Sequence, residues 1–147
     1  MYQFKMTEEM MIKSSIGHIQ YNIDPKNTPF YRDLFTFLGW KVLCDEPDML
    51  GVEDEHKASL WFAGMLKQVS NDYDGPGVNH LAIAVPRQAD VDEAVVYLKE
   101  HAVAALFETP RHRPEFCGNE NSTYYQVMFE SPDRLLFEVV YTGPKSK

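Results

Sequence analysis

Two histidines and one glutamate lie inside strand-like runs of otherwise apolar residues. His18 sits in Ile16-Gly17-His18-Ile19-Gln20-Tyr21-Asn22-Ile23, His80 in Val78-Asn79-His80-Leu81-Ala82-Ile83-Ala84-Val85, and Glu138 in Leu135-Leu136-Phe137-Glu138-Val139-Val140-Tyr141. The histidines stand 62 residues apart at the same point of two similar runs, as one structural module repeated twice would place them. A carboxylate buried without a partner is so unfavourable that Glu138 must be paired, neutralised or coordinated. Two imidazoles and one carboxylate, with further positions open to water or substrate, suit a divalent metal: iron, with manganese, nickel, cobalt and zinc also accommodated. The sequence thus predicts a metal centre of His18, His80 and Glu138.

Successive strand side chains point to opposite faces. His18 then shares a face with Gln20 and Asn22, His80 with Ala82 and Ala84, and Glu138 with Leu136 and Val140, each opposite an apolar row. This fits curved sheets that pack their greasy faces on helices and leave concave faces as a cup, kept hollow by Ala82 and Ala84. Gln20, Asn22, Ser59 and Trp61 are candidates to line it and orient a small-molecule substrate, with Trp61 equally suited to the core. Tyr124 and Tyr125 have opposite parity, so at most one faces the cup. There a phenol could donate a proton to an oxyanion, and both are catalytic candidates. Arg111, His112 and Arg113 form a positive cluster that would draw an anionic substrate through the two arginines, against the alternative of solvated pairs with Glu108 and Glu115.

The positioning elements follow from periodicity. Phe30, Tyr31, Leu34, Phe35 and Leu38 recur at helical steps between the Thr28-Pro29 start signal and the Gly39 stop. Short strands are expected at 40–44, 50–52 and 58–63, giving module one (16–63) the order β-α-β-β-β. A connector follows (64–77), rich in Asp, Gly and Pro towards its end. Module two (78–141) repeats the order, with a helix from Ala89 to His101 and strands near 104–107, 124–129 and 135–141. Thr109 to Ser122 reads as a long polar loop of a length that is often functional. Residues 1–15 read as an extension, helical if ordered, and 142–147 as a tail.

The 147 residues suffice for one well-buried domain. A formal net charge of -8 disfavours nucleic acid and anionic membranes. No apolar run is long enough to span a bilayer, and the N-terminal residues lack a secretory signal's apolar stretch, so a cytoplasmic protein is expected. Cys44 and Cys117 are too few for a disulfide framework or a thiolate cluster.

The duplicated pattern, with Gly17-His18-Ile19, Asn79-His80-Leu81-Ala82-Ile83 and Phe129-Glu130-Ser131-Pro132-Asp133-Arg134-Leu135-Leu136-Phe137-Glu138, resembles the glyoxalase, bleomycin-resistance protein and extradiol dioxygenase superfamily, the vicinal oxygen chelate proteins. The resemblance runs from Ile16 to Tyr141. It implies an α+β fold of two tandem βαβββ modules forming a curved mixed-sheet cup with helices outside. It also implies metal ligation by His18, His80 and Glu138, a substrate with neighbouring oxygens, oxygenase or isomerase/lyase chemistry, and a homodimer. The antibiotic-sequestering branch implies the alternative of a metal-free small-molecule binder. Two departures matter. Ser131 and Arg134-Leu135 replace the superfamily's aspartate and glycine-asparagine, so the turn before Glu138 needs another conformation or an added salt bridge. Glyoxalase I enzymes also carry a glutamate on the last strand of module one, whereas this chain has Ser59-Leu60-Trp61-Phe62 there, which favours dioxygenase-like chemistry over lactoylglutathione lyase activity.

Overall fold

Alternating and helical apolar periods dictate a chain that begins with strand β1 (His18–Ile23), whose outward residues are exposed and whose inward residues bury progressively to Ile23. The structure, a computed structural model, describes residues 12–64 and 67–146. It divides into two compact units, one up to residue 66 and one from residue 67, within the expected connector. Most of the expected N-terminal extension lies outside the described residues, and 12–17 form no regular element.

In the first unit, helix α1 (Thr28–Phe37) starts one residue earlier than the cap signal suggested, with Asn27 at the cap and Pro29 in the first turn. Gly39 ends it in the left-handed conformation at φ 82°. Strands β2 (Lys41–Glu46), β3 (Met49–Glu53) and β4 (Ser59–Gly64) follow. The sheet order is β1-β4-β3-β2, with β1 and β4 parallel and the other pairs antiparallel. Helix α1 buries Tyr31, Leu34 and Phe35, and Tyr31 stacks on Phe62 of β4 at 4.3 Å between centroids. Phe62 in turn stacks on Tyr21, so the core of this unit is an aromatic pile between helix and sheet.

The second unit repeats the order. Strand β5 (His80–Ala84), helix α2 (Gln88–Glu100), and strands β6 (Leu106–His112), β7 (Ser122–Glu130) and β8 (Leu136–Pro144) form a mixed sheet of order β5-β8-β7-β6. The helix packs on β7 and β8 and buries Val91, Ala94 and Leu98 against a layer that includes Val127, Phe129, Phe137 and Val139. The paired βαβββ modules expected from the sequence are therefore present.

Several boundaries differ, two of them by three residues or more. The expected loop from Thr109 gives its first four residues to β6, because a bulge between Leu106 and Arg111 restores pairing with β7. The bulge takes Phe107 and Glu108 through the left-handed region at φ 56° and 59°. Thr109 Oγ1 bridges it, donating to Leu106 O at 2.7 Å and accepting from Met128 N at 3.0 Å. The remaining connection includes a 3₁₀ turn at Pro114–Phe116. Strand β8 runs to Pro144, three residues beyond the expected module end, paired along its length with β7. Among the described residues no helix is long and apolar enough to cross a membrane.

Candidate functional site

The register of the second sheet gathers one polar cluster. His80 pairs with Leu136 and Ala82 with Glu138 across the parallel β5–β8 ladder, and Met128 pairs with Glu138 across β7–β8. His80, Glu138, Met128, Gln126 and Tyr124 thus share one face of the sheet. They line a concave pocket of about 640 Å³, with Phe107, Arg113 and Phe116 among the other lining residues. A pocket of that size suits a small molecule.

Glu138 is at the centre and only 2% exposed. Its Oε1 accepts the Tyr124 hydroxyl at 2.5 Å, and its Oε2 lies 3.0 Å from His80 Nε2. On the far side of the imidazole, Nδ1 is 2.8 Å from Asn79 Oδ1. The Asn79 amide is held the right way round because its Nδ2 donates to the Tyr73 carbonyl at 2.9 Å. Asn79 Oδ1 therefore accepts Nδ1–H, and Nε2 is the nitrogen turned to the carboxylate. Two lone pairs do not face each other at this separation; a shared proton or a cation between them satisfies both. Tyr73 is itself fixed by donating to Glu130 Oε1 at 2.5 Å and by the Arg134 guanidinium over its ring at 5.9 Å.

Tyr124 and Tyr125 separate as their parity requires. Burial first, and donation to Glu138 second, push the Tyr124 phenol well above its ordinary value, so it remains a proton donor. Tyr125 lies on the other face and donates to Asp92 of α2 at 2.7 Å.

Arg111 sits in β6, with Nη1 3.4 Å from Glu108 Oε2. Arg113 binds Glu115 through Nε at 2.6 Å and lies over the Phe116 ring at 4.9 Å. Both arginines thus have the expected acidic neighbours, and Arg113 also lines the pocket. Phe107 and Phe116 are 50% and 55% exposed, and Phe116 meets Tyr124 edge to face at 5.3 Å. Non-glycine residues held left-handed are strained by about 1–2 kcal/mol each and cluster at functional sites; here the strained Phe107 lines the pocket.

In the first unit His18, Gln20 and Asn22 share the exposed face of β1 as the alternation predicted. His18 pairs with Ser59 and Gln20 with Trp61. Trp61 therefore holds the register position that Glu138 holds in the second sheet, two residues along from the histidine's partner. Its indole Nε1 donates to Ser59 Oγ at 3.1 Å and its ring covers Gly51, where an added Cβ would fall 2.7 Å from Trp61 Cζ3. At this position the strand carries an indole and no carboxylate.

The donor set fits a divalent cation in part. Metal bonds of about 2.0–2.2 Å at right angles place two donor atoms roughly 3 Å apart, and His80 Nε2 and Glu138 Oε2 are 3.0 Å apart. Among the described residues no group of three His, Cys, Asp or Glu side chains converges. The turn before β8 resolves the sequence departure both ways: Arg134 adopts φ 57°, the left-handed conformation that a glycine would take, and lies 4.0 Å from Glu130 Oε2. Ser131 Oγ accepts from Asp133 N and Leu135 N, as an aspartate would.

The sequence reading passed over Asn79 and Gln126. The first is adjacent to the nominated histidine, and the second lies between Tyr124 and Met128 in the strand alternation, so parity alone could have found it.

No family model and no curated protein matches the chain. Solved structures do. A protein from Bacillus halodurans provisionally designated a glyoxalase is 25% identical, with 86% of this chain and 94% of that one covered at a TM-score of 0.71. A glyoxalase/dioxygenase from Nostoc punctiforme is 17% identical, covering 88% and 91% at 0.64. A lactoylglutathione lyase from Agrobacterium tumefaciens is 18% identical, covering 88% and 95% at 0.63.

Proposed function

The chain carries the fold of the glyoxalase, bleomycin-resistance and dioxygenase proteins, the vicinal oxygen chelate superfamily, and from that premise we propose that its second-module pocket binds a small substrate with neighbouring oxygens at a divalent cation held by His80 and Glu138. The observation that carries the reading is the 3.0 Å approach of His80 Nε2 to the buried Glu138 Oε2 on the pocket floor. Asn79 keeps Nε2 turned inward as a ligand lone pair. A cation there supplies Lewis acidity towards substrate oxygens. Tyr124 holds a proton at Glu138 Oε1, and Phe107 and Phe116 shield a bound ligand from water.

His18 enters this reading through its sequence equivalence to His80 alone. A cytoplasmic homodimer completes it, supported by superfamily resemblance and by two free cysteines. The replacement of a module-one carboxylate by Trp61 supports dioxygenase-like rather than lactoylglutathione lyase chemistry. The closed chain from Asn79 through His80 and Glu138 to Tyr124 favours one second reading, a metal-free small-molecule binder in which a shared proton takes the cation's place.

Elemental analysis of protein purified without a polyhistidine tag separates the two. Stoichiometric iron, manganese, nickel, cobalt or zinc that is lost in His80→Ala and Glu138→Gln supports the metal centre, and loss in His18→Ala adds the third ligand. Metal-free protein that takes up none of these ions overturns it.

A further inference from the structure

Gln126 is 3% exposed, lines the pocket, and its side-chain amide has no hydrogen-bond partner among the described residues. The amide is not among the buried unpaired atoms, so it opens to the pocket, where it marks a place for a ligand's polar atom. A second observation lies beside it. Arg111 is the cross-strand partner of Gln126 in the β6–β7 ladder, which puts both side chains on one face of the sheet, and Arg111 Nε is buried without a hydrogen-bond partner. The bulge at Phe107–Glu108 creates this register.

We propose that Gln126 and Arg111 form a recognition point, separate from His80 and Glu138, for the carboxylate of an aromatic acid bound in the second-module pocket. Two N–H donors side by side, one on a guanidinium, select an oxyanion over a neutral group. Arg113 adds positive charge on the pocket wall, and the half-exposed rings of Phe107 and Phe116 offer faces for a planar apolar body. The inference rests on the pocket named above but not on its cation.

The test uses the full chain in excess EDTA, so that metal plays no part, with phenylacetate and its neutral analogue phenylacetamide as probes in calorimetric titration. Phenylacetate is expected to bind about tenfold more tightly than phenylacetamide, and Gln126→Met and Arg111→Met each to remove that preference. No binding of phenylacetate, equal binding of the two probes, or an unchanged preference in Gln126→Met or Arg111→Met would each overturn the proposal. None of these outcomes bears on metal content.

Discussion

Trp61 occupies in the first sheet the register position that Glu138 occupies in the second: each stands two residues along the parallel ladder from the residue paired with its module's histidine. The duplication has therefore kept the scaffold and changed the chemistry. One module presents an indole over a glycine, and the other a buried carboxylate between an imidazole and a phenol.

The indole's seat gives a prediction of sign. A strand glycine replaced by alanine ordinarily gains stability, but at Gly51 the new Cβ would meet the Trp61 ring at 2.7 Å. Gly51→Ala is expected to destabilise by about 1–3 kcal/mol in chemical denaturation. A neutral or stabilising result would mean that Trp61 does not lie over Gly51.

Asn79 orients His80 through the contact at Nδ1. Asn79→Ala removes the acceptor at Nδ1, so the imidazole is expected to populate both neutral tautomers and divalent-metal affinity to fall about 10–100-fold. Long-range ¹⁵N–¹H spectra of the ring read the tautomers directly. A single unchanged tautomer in the variant would show that the amide does not set it.

Tyr125 supplies the pH dependence. Burial, and then donation to Asp92, push its phenol up to about 12 from 10.0. The folded state holds this proton more tightly than the unfolded chain, so its contribution is complete below pH 10 and is lost as pH rises from 10 towards 12. Tyr125→Phe is expected to flatten that alkaline decline and to lower stability at neutral pH by about 1 kcal/mol, through loss of the tie between β7 and α2. Denaturation at pH 8, 10 and 11.5 checks both effects.

Arg134 takes a left-handed conformation at φ 57°, and its ion pair with Glu130 is long, at 4.0 Å, and largely exposed. Arg134→Gly is expected to stabilise the chain by about 1 kcal/mol, since relief of backbone strain outweighs the lost pair. Destabilisation would mean that the guanidinium over Tyr73 contributes more than the strain removes.

Much of this was legible in the chain. The helical repeat from Phe30 to Leu38, stopped by Gly39, gave α1 almost to the residue, and period-two alternation put Glu138 on one face with Leu136 and separated Tyr124 from Tyr125. What could not be read was register. The bulge at Phe107–Glu108 depends on how β6 slides along β7 and on a threonine hydroxyl standing in for a ladder bond. It turned the first four residues of an apparent loop into strand and brought Arg111 beside Gln126. The partners of Tyr124 and Asn79 are likewise tertiary facts with no local signature, whereas the Arg134 turn was signalled by the departure from glycine.

The central claim is that His80 Nε2 and Glu138 ligate one divalent cation. It is tested most directly by adding Zn²⁺ to metal-stripped, ¹⁵N-labelled protein and following the His80 ring nitrogens. The account predicts one equivalent bound, a large shift at Nε2 with Nδ1 still protonated, and loss of that shift in Glu138→Gln. An unmoved Nε2 resonance in the presence of bound or excess Zn²⁺ would contradict it.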